Sequence, residues 1–447
     1  MAVEWVKYFR VITMTKRMRL VGLIFVVLLI AYNPALAQSR LARIYWLGVL
    51  PGGTFSRAMA VSNNGRVVGY GDTIPSERTC DSPNPHHAFY WNGSSLIDIH
   101  PGASERSSYA LDITGDGDLI VGASGALVCG YYLVEGSYAY AWIVSAGQVQ
   151  PIRLQGLPNR FASTANSVSY LPYNANPNSR YIAGTEGGVR SSANKGRPGY
   201  YLLDSGFVPL PLLRRPDGSE WGWGSANGVS GDGNVVVGVS HYSDEDFVIW
   251  SMTRPVCWKG GEIHMLSGEG TPLAASGNGA VIVGSDRDGP VIWLGCPGRL
   301  LVLERGLGAA RDTDALGRVV VGTLNGRAYR WVAGRTAGED LNTSYSYLLR
   351  DGSFLTEATG ISPNGRYIVG SGRNGRTGLT EAYLLDTGLM VIPADVNSDG
   401  CVDDADLLSV LSRLGDSGWL QEDVNADLVV DDADLLEVLL HLGFCDE

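Results

Sequence analysis

Oxygen-bearing side chains recur at fixed intervals near the C-terminal end of the chain. From residue 395 the sequence reads DVNSDGCVDDADLLSVLSRLG and from residue 423 DVNADLVVDDADLLEVLLHLG, identical at 15 of 21 positions and offset by 28. Counted from the first Asp, oxygens fall at positions 1, 3, 5, 9 and 12. In the first copy these are Asp395, Asn397, Asp399, Asp403 and Asp406, and in the second Asp423, Asn425, Asp427, Asp431 and Asp434. The backbone carbonyls of Cys401 and Val429 are the expected ligands at position 7. A large, hard cation takes about six to eight oxygens at roughly 2.3–2.6 Å, and side chains alternating around a tight loop present them inward. The pattern predicts two calcium sites.

The elements that must hold these loops are short helices. Leu407, Leu408, Val410, Leu411 and Leu414 follow the i, i+3, i+4, i+7 spacing of an amphipathic helix, as do Leu435, Leu436, Val438, Leu439 and Leu442. The unit is therefore loop then helix, twice. Residues 394–447 carry 15 acidic residues and one basic, a net of −14 in a chain whose total is −12. So many carboxylates repel one another without a cation, so folding of this segment is expected to be coupled to metal.

The duplicated loop–helix sentence resembles type I dockerins, the small calcium-folded modules that plug enzymes and adhesins into cohesin partners. The resemblance covers about the last eighth of the chain. It implies a small all-α C-terminal domain at 394–447, two calcium ions, and a cohesin-like or other cell-surface protein as partner. Two positions depart from the family pattern. Position 6 of the second loop is Leu428, where Gly400 stands in the first. A side chain at positive φ costs about 1–2 kcal/mol, so the second site is expected to be the weaker. The partner-contacting pair at positions 10 and 11, often hydroxyl-bearing in dockerins, is Asp404–Ala405 and Asp432–Ala433. Both copies agree, which keeps open a two-fold symmetric, two-way binding surface.

The first 37 residues read as an export signal. Lys16, Arg17 and Arg19 precede an apolar run over 20–31, then Asn33–Pro34 and the small-residue site Ala35-Leu36-Ala37, with cleavage expected before Gln38. The run is shorter than the roughly 20 residues of a membrane span. The reading is a secreted or cell-surface protein, with no membrane association after cleavage. Six cysteines allow fifteen pairings, and no C-x-x-C zinc spacing occurs. They group two by two along the chain, which suggests Cys80–Cys129, Cys257–Cys296 and Cys401–Cys445.

Residues 38–393 form one long array. AVSNNGRVVG at 60–69, DITGDGDLIVG at 112–122, GVSGDGNVVVG at 228–238, AASGNGAVIVG at 274–284, DTDALGRVVVG at 312–322 and GISPNGRYIVG at 360–370 are versions of one phrase. A degraded copy, SRYIAG, ends at Gly184. The closing glycines thus fall at 69, 122, 184, 238, 284, 322 and 370, spaced by about 50 residues, a period that signals solenoids or propellers. Asn64-Gly65, Asn278-Gly279 and Asn364-Gly365 are turn residues that tolerate positive φ between β-branched strands. A third strand follows, usually aromatic: AFYW at 88–91, AYAW at 139–142, VCW at 256–258, VIW at 291–293, AYRW at 328–331 and AYLL at 382–385. A fourth short strand, such as SLIDI at 95–99, completes the unit. Four antiparallel strands per repeat, seven times, predict a mainly β, seven-bladed β-propeller. Its tryptophans are expected between blades. Either residues 43–50 or residues 388–393 complete the last blade. The array also resembles the HAF-type extracellular repeats of bacterial secreted proteins, with His87-Ala88-Phe89 as the name-giving residues. That resemblance implies a scaffold and no established chemistry.

No G-x-S-x-G elbow, H-E-x-x-H helix or P-loop is present. Ser230–Asn234 shares part of the Asp-box of sialidases, which a hairpin turn explains equally. Asp244, Glu245 and Asp246 read as a solvated loop, and an acidic exported chain is a poor partner for nucleic acid. The expected function is recognition without catalysis: a propeller that binds a glycan or protein, tethered by its calcium-dependent tail. The alternative is an extracellular carbohydrate-active hydrolase or lyase with its site in the propeller channel.

Overall fold

The computed structural model describes residues 42–73, 86–158 except 103, 104, 106 and 126–136, 162–169, 180–187, 196–241 except 215–217, 219 and 221, and 253–445 except 389–391, 393 and 398. The predicted export signal, the Cys80–Cys129 pairing and the acidic stretch at 244–246 lie outside these residues. Among the described residues no helix is long and apolar enough to cross a membrane.

Seven four-stranded antiparallel sheets follow one another along the chain. In six of them the strands lie side by side in sequence order, the first being residues 56–98. The seventh is composite. Phe354–Ile361, Tyr367–Arg373 and Thr380–Asp386 supply its inner three strands, and Arg43–Gly48 from the beginning of the described chain supplies the outermost. Arg43 pairs with Asp386 and Trp46 with Tyr383. The structure thus chooses the N-proximal of the two candidate closing segments. Ser56 fastens the seam, its hydroxyl donating to the Gly48 carbonyl at 2.5 Å and accepting from the Ala382 N–H at 2.8 Å.

Each repeated phrase is the innermost strand, a hairpin turn, and the second strand. The innermost strands carry a bulge at the same place in every blade, for example between Ala58 and Ala60 and between Ala110 and Asp112. The bulge tips the preceding carbonyl toward the neighbouring strand, and the closing glycine lies there. A Cβ on Gly122 would sit 1.9 Å from the Tyr109 carbonyl oxygen, so only glycine fits. In the hairpin, Gly65 takes φ +74 while Asn64 stays in ordinary backbone. The asparagine serves through its side chain, with the Ser62 hydroxyl donating to its Oδ1 at 2.5 Å. Thr114–Asp116 and Ser230–Asp232 repeat that bond.

The third strands form the core between blades. Trp142, Trp258 and Trp293 are fully buried, and each indole N–H donates to the loop leading into its own blade, at Ile99, Pro211 and Ser267. Trp142 packs with Val68 and Tyr90 of the preceding blade, in the inter-blade place expected for it. Ala88 and Phe89 of the HAF triplet are fully buried, and the Ala88 N–H donates to the Ser108 hydroxyl of the next blade. The Cys257–Cys296 disulfide links blades 4 and 5.

After the propeller come two helices, α1 (Asp404–Ser412) and α2 (Asp432–His441). They enclose a small valine core of Val396, Val402, Val410, Val424, Val430 and Val438. The apolar stripes of the two amphipathic helices are buried only in part. Leu407 and Leu435 pack on the valines, but Leu408, Leu411, Leu414, Leu436, Leu439 and Leu442 are exposed, as is Leu440 outside the stripe, by 70 %. Two short helices side by side have one inner face, and the wide apolar stripe exceeds it.

Candidate metal centre

The two loops have nearly superposable local bonding. In the first, Asp395 accepts from the Asp399 N–H at 3.1 Å and the Gly400 N–H at 2.9 Å. Asn397 Oδ1 accepts from the Asp399 N–H, and Asp399 Oδ1 from the Cys401 N–H. Asp403 caps α1 by accepting from the Ala405 N–H at 2.8 Å. Asp406 is fully buried and draws the loop shut, accepting from Val396 and Asn397 through Oδ1 and from Asp403 through Oδ2. The second loop repeats this: Asp423 accepts from Asp427 and Leu428, Asn425 from Asp427, Asp427 from Val429, Asp431 from Ala433, and Asp434 from Val424, Asn425 and Asp431. All ten predicted side chains therefore line two loops, with Cys401 and Val429 at the seventh position of each.

Position 6 lies in the left-handed region in both, at φ +96 for Gly400 and φ +75 for Leu428. Burial pushes the carboxyls of Asp395 and Asp423 up to about 6, and the neighbouring acids, Asp406 and Asp399 in one loop and Asp434 and Asp427 in the other, push the same way. Among the described residues no three His, Cys, Asp or Glu side chains converge as a metal cluster. The position-1 and position-12 carboxylates turn onto backbone N–H groups rather than onto one another. The donor set nevertheless fits a calcium ion. It is all oxygen, crowded with like charge that a divalent cation relieves, and each carboxylate oxygen that accepts one N–H keeps a second lone pair.

The copies differ in what surrounds them. Cys401 is joined to Cys445, and the Val402 N–H donates to the Phe444 carbonyl, so the chain end clasps the first loop. The symmetric place in the second copy holds Ser417 bridged to Val429 by backbone alone. The second loop instead rests on the propeller. Trp419 and Leu428 pack on the blade 5–6 core that includes Val281, Ile292 and Trp331. The Trp419 indole donates to the Gly317 carbonyl at 2.5 Å, and Asn278 Nδ2 to the Ala426 carbonyl at 2.8 Å. Arg318, almost fully buried, donates to the Asp423 carbonyl at 3.3 Å. Burial presses its guanidinium below the ordinary value, opposed by Asp314, Asp423, Asp434 and Asp395.

Two other places gather polar or aromatic side chains. On the innermost strands, the residues just after the bulge include Asp112 and Asp312. Asp112 accepts from the Val168 N–H of the next blade at 2.8 Å, and Asp312 from the Ile361 N–H of its next blade at 2.9 Å. Burial raises them to about 6 and about 7, with the Asp112 charge further raising Asp312. They act as clasps between blades, as Asn166 and Asn227 do by donating to the carbonyls of Ala226 and Pro272. At the opposite end of the inner strands from the hairpins, Tyr70 meets His86 and Tyr109 edge-on and those two rings lie tilted to each other, with centroids 5.0–5.7 Å apart. Arg57 lies beside them, paired with Glu357 at 2.6 Å and with the Tyr70 hydroxyl at 3.3 Å.

No family model matches the chain, and no curated protein matches it significantly. Solved structures do. The β-propeller domain of Cps50 (Swd1) from Myceliophteria thermophila is 11 % identical with a TM-score of 0.43, covering 76 % of this chain and 99 % of that one. The β-propeller domain of the Trilobed protease from Pyrococcus furiosus, described as having an open velcro topology, is 12 % identical with a TM-score of 0.42, covering 74 % of this chain and 96 % of that one. Acylaminoacyl peptidase from Pyrococcus horikoshii is 12 % identical with a TM-score of 0.42, covering 74 % and 51 %. The likeness is one of fold.

Proposed function

We propose that the protein is an exported recognition protein without catalytic function, in which the propeller presents a ligand-binding face and the C-terminal module couples it to a cohesin-like or other cell-surface partner in a calcium-dependent way. The observation that carries this reading is the module itself: two loops with the same oxygen pattern and the same backbone bonds, followed by helices whose outer leucines lie bare. Calcium would be held by Asp395, Asn397, Asp399, Asp403, Asp406 and the Cys401 carbonyl in the first loop. In the second it would be held by Asp423, Asn425, Asp427, Asp431, Asp434 and the Val429 carbonyl. The ion supplies only charge neutralisation and cross-linking of the loop. The chain's own residues cap the helices and hold Leu408, Leu411, Leu436 and Leu439 on the outer surface, where a partner of apolar face would cover them.

The aromatic group of Tyr70, His86 and Tyr109 beside Arg57 and Glu357 favours a glycan or a polar peptide as propeller ligand, since ring faces and paired charges together suit such ligands. Calcium titration of the full chain by calorimetry tests the reading, followed by capture on immobilised chain with and without chelator. Two binding events and a calcium-dependent partner from the producing cell's surface support it. Calcium binding without any calcium-dependent partner removes the tethering role, and absence of calcium binding removes the module's role altogether.

The second reading, a carbohydrate-active hydrolase or lyase with its site in the propeller channel, would draw on the innermost-strand carboxyls, of which Asp112 and Asp312 are bound to the next blade. Hydrolysis of a polysaccharide panel that disappears in both Asp112→Asn and Asp312→Asn, with the fold retained, would establish it.

A further inference from the structure

Two internal repeats break their own rules, and the two breaks meet in space. In the propeller, the hairpin of blade 6 is Asp314-Ala315-Leu316-Gly317-Arg318, where blades 1, 4, 5 and 7 have Ser-x-Asn/Asp-Gly. In blades 1 and 7 the hairpin asparagine reaches the next hairpin, Asn64 Nδ2 donating to the Asp116 carbonyl and Asn364 Nδ2 to the Asn63 carbonyl. Blade 6 offers no equivalent, and Asn278 of blade 5 donates instead to Ala426 of the second loop. In the module, the copies differ at loop positions 4, 6 and 7. Position 4 of the second copy is Ala426, and position 6 is Leu428, which packs on the blade 5–6 core. Arg318 Nε and Asp314 Oδ2 are buried without a hydrogen-bond partner among the described residues, directly beneath this loop. The Gly334 N–H closes the contact on the Trp419 carbonyl at 3.0 Å.

From this coincidence we infer that blades 5 and 6 are the built partner of the second loop, so that calcium at that loop and the stability of the propeller are thermodynamically linked. The inference rests on the calcium reading above. Leu428 is then an anchor. The left-handed backbone that calcium coordination requires at position 6 is held by insertion of its side chain into the propeller rather than by glycine. Arg318 brings a fixed positive charge beneath Asp423, so the latched loop stays folded before the ion arrives. A ligand that binds the latched native state stabilises everything that unfolds with it, by about 2.7 kcal/mol at a hundredfold excess over Kd.

Scanning calorimetry of the full chain, in chelator and in saturating calcium, tests the linkage alongside a calcium titration. In the wild-type chain the propeller and the module unfold in one transition, which calcium raises by roughly 3–5 °C. In Trp419→Ala and Leu428→Gly, each made separately, the transition splits, the propeller part no longer responds to calcium, and the first loop still binds. Two calcium ions bound by the wild-type chain with no shift of the propeller transition would overturn the linkage alone. An equal shift in both variants would overturn it as well. Absence of any calcium binding would overturn the calcium reading and the linkage together, while separate unfolding of the module in Trp419→Ala would still register the latch.

Discussion

The two acidic loops share a sequence and a bonding pattern but are secured by different neighbours. The first is clasped by the chain end through Cys401–Cys445 and turns on Gly400. The second has a serine and a valine where that disulfide would be, turns on Leu428, and is seated on blades 5 and 6. Each loop therefore keeps its oxygens in place by means the other lacks. A residue that reads as a defect within the repeat becomes a contact once its surroundings are included.

The largest expected effect comes from removing the clasp. Replacing both Cys401 and Cys445 by serine opens a cross-link spanning 44 residues, worth about 4 kcal/mol by the chain-entropy relation. Denaturant unfolding of the full chain, with calcium titration beside it, should show the first loop losing affinity while the second, held by the propeller, loses little. Equal losses would break the comparison.

Next come the position-12 acids. Asp406→Ala or Asp434→Ala leaves three backbone N–H groups without their acceptor, at a cost of about 3 kcal/mol. Each should abolish one calcium event in calorimetry and leave the other, since neither loop borrows ligands from its twin.

Gly400→Leu transplants the second loop's residue to a place with no propeller beneath it. The strain of positive φ is then uncompensated, and first-site affinity should fall about tenfold. Unchanged affinity would mean that Leu428 owes nothing to its seat.

The smallest effect is on pH and serves as a control outside both loops. The carboxyls of Asp112 and Asp312 stand at about 6 and about 7 in the folded chain, against roughly 3.9 unfolded. The native state thus holds more protons across this window, and stability falls as pH rises from about 4 to 7, then levels. Urea unfolding in saturating calcium should show a shallower slope for Asp112→Asn.

The seven closing glycines were legible because they answer a local demand: a bulged strand leaves no room for a Cβ opposite Ala58, Ala110 or Ala358. The third strand of blade 3, Arg197–Leu202, has no such local mark, because Pro198 and Gly199 replace the alanine–aromatic cue. The closing strand was undecidable locally, since pairing of Arg43 with Asp386 is a tertiary choice between two apolar segments. The two innermost-strand acids did leave a trace. Asp112 and Asp312 open their phrases where other copies have Ala or Gly, and a charge in a small-residue slot marks a special contact. The seat of the second loop left only Leu428, whose partner lies in a different repeat.

The composite seventh blade has a consequence for how the chain comes to be folded. Arg43–Gly48 is synthesised before any blade, yet its partner Thr380–Asp386 is made some 340 residues later. Closing a loop of that length costs about 5 kcal/mol in chain entropy beyond the constant for bringing two ends together. The blades between have local pairings and can form as they emerge, so the ring matures as an open arc that shuts only when its last member arrives. Until then the outer edge of Thr380–Asp386 has an unpaired row of N–H and C=O groups, and the first strand is an orphan. The seam is both the last event in assembly and the point at which a helper or a competing strand would have longest to act.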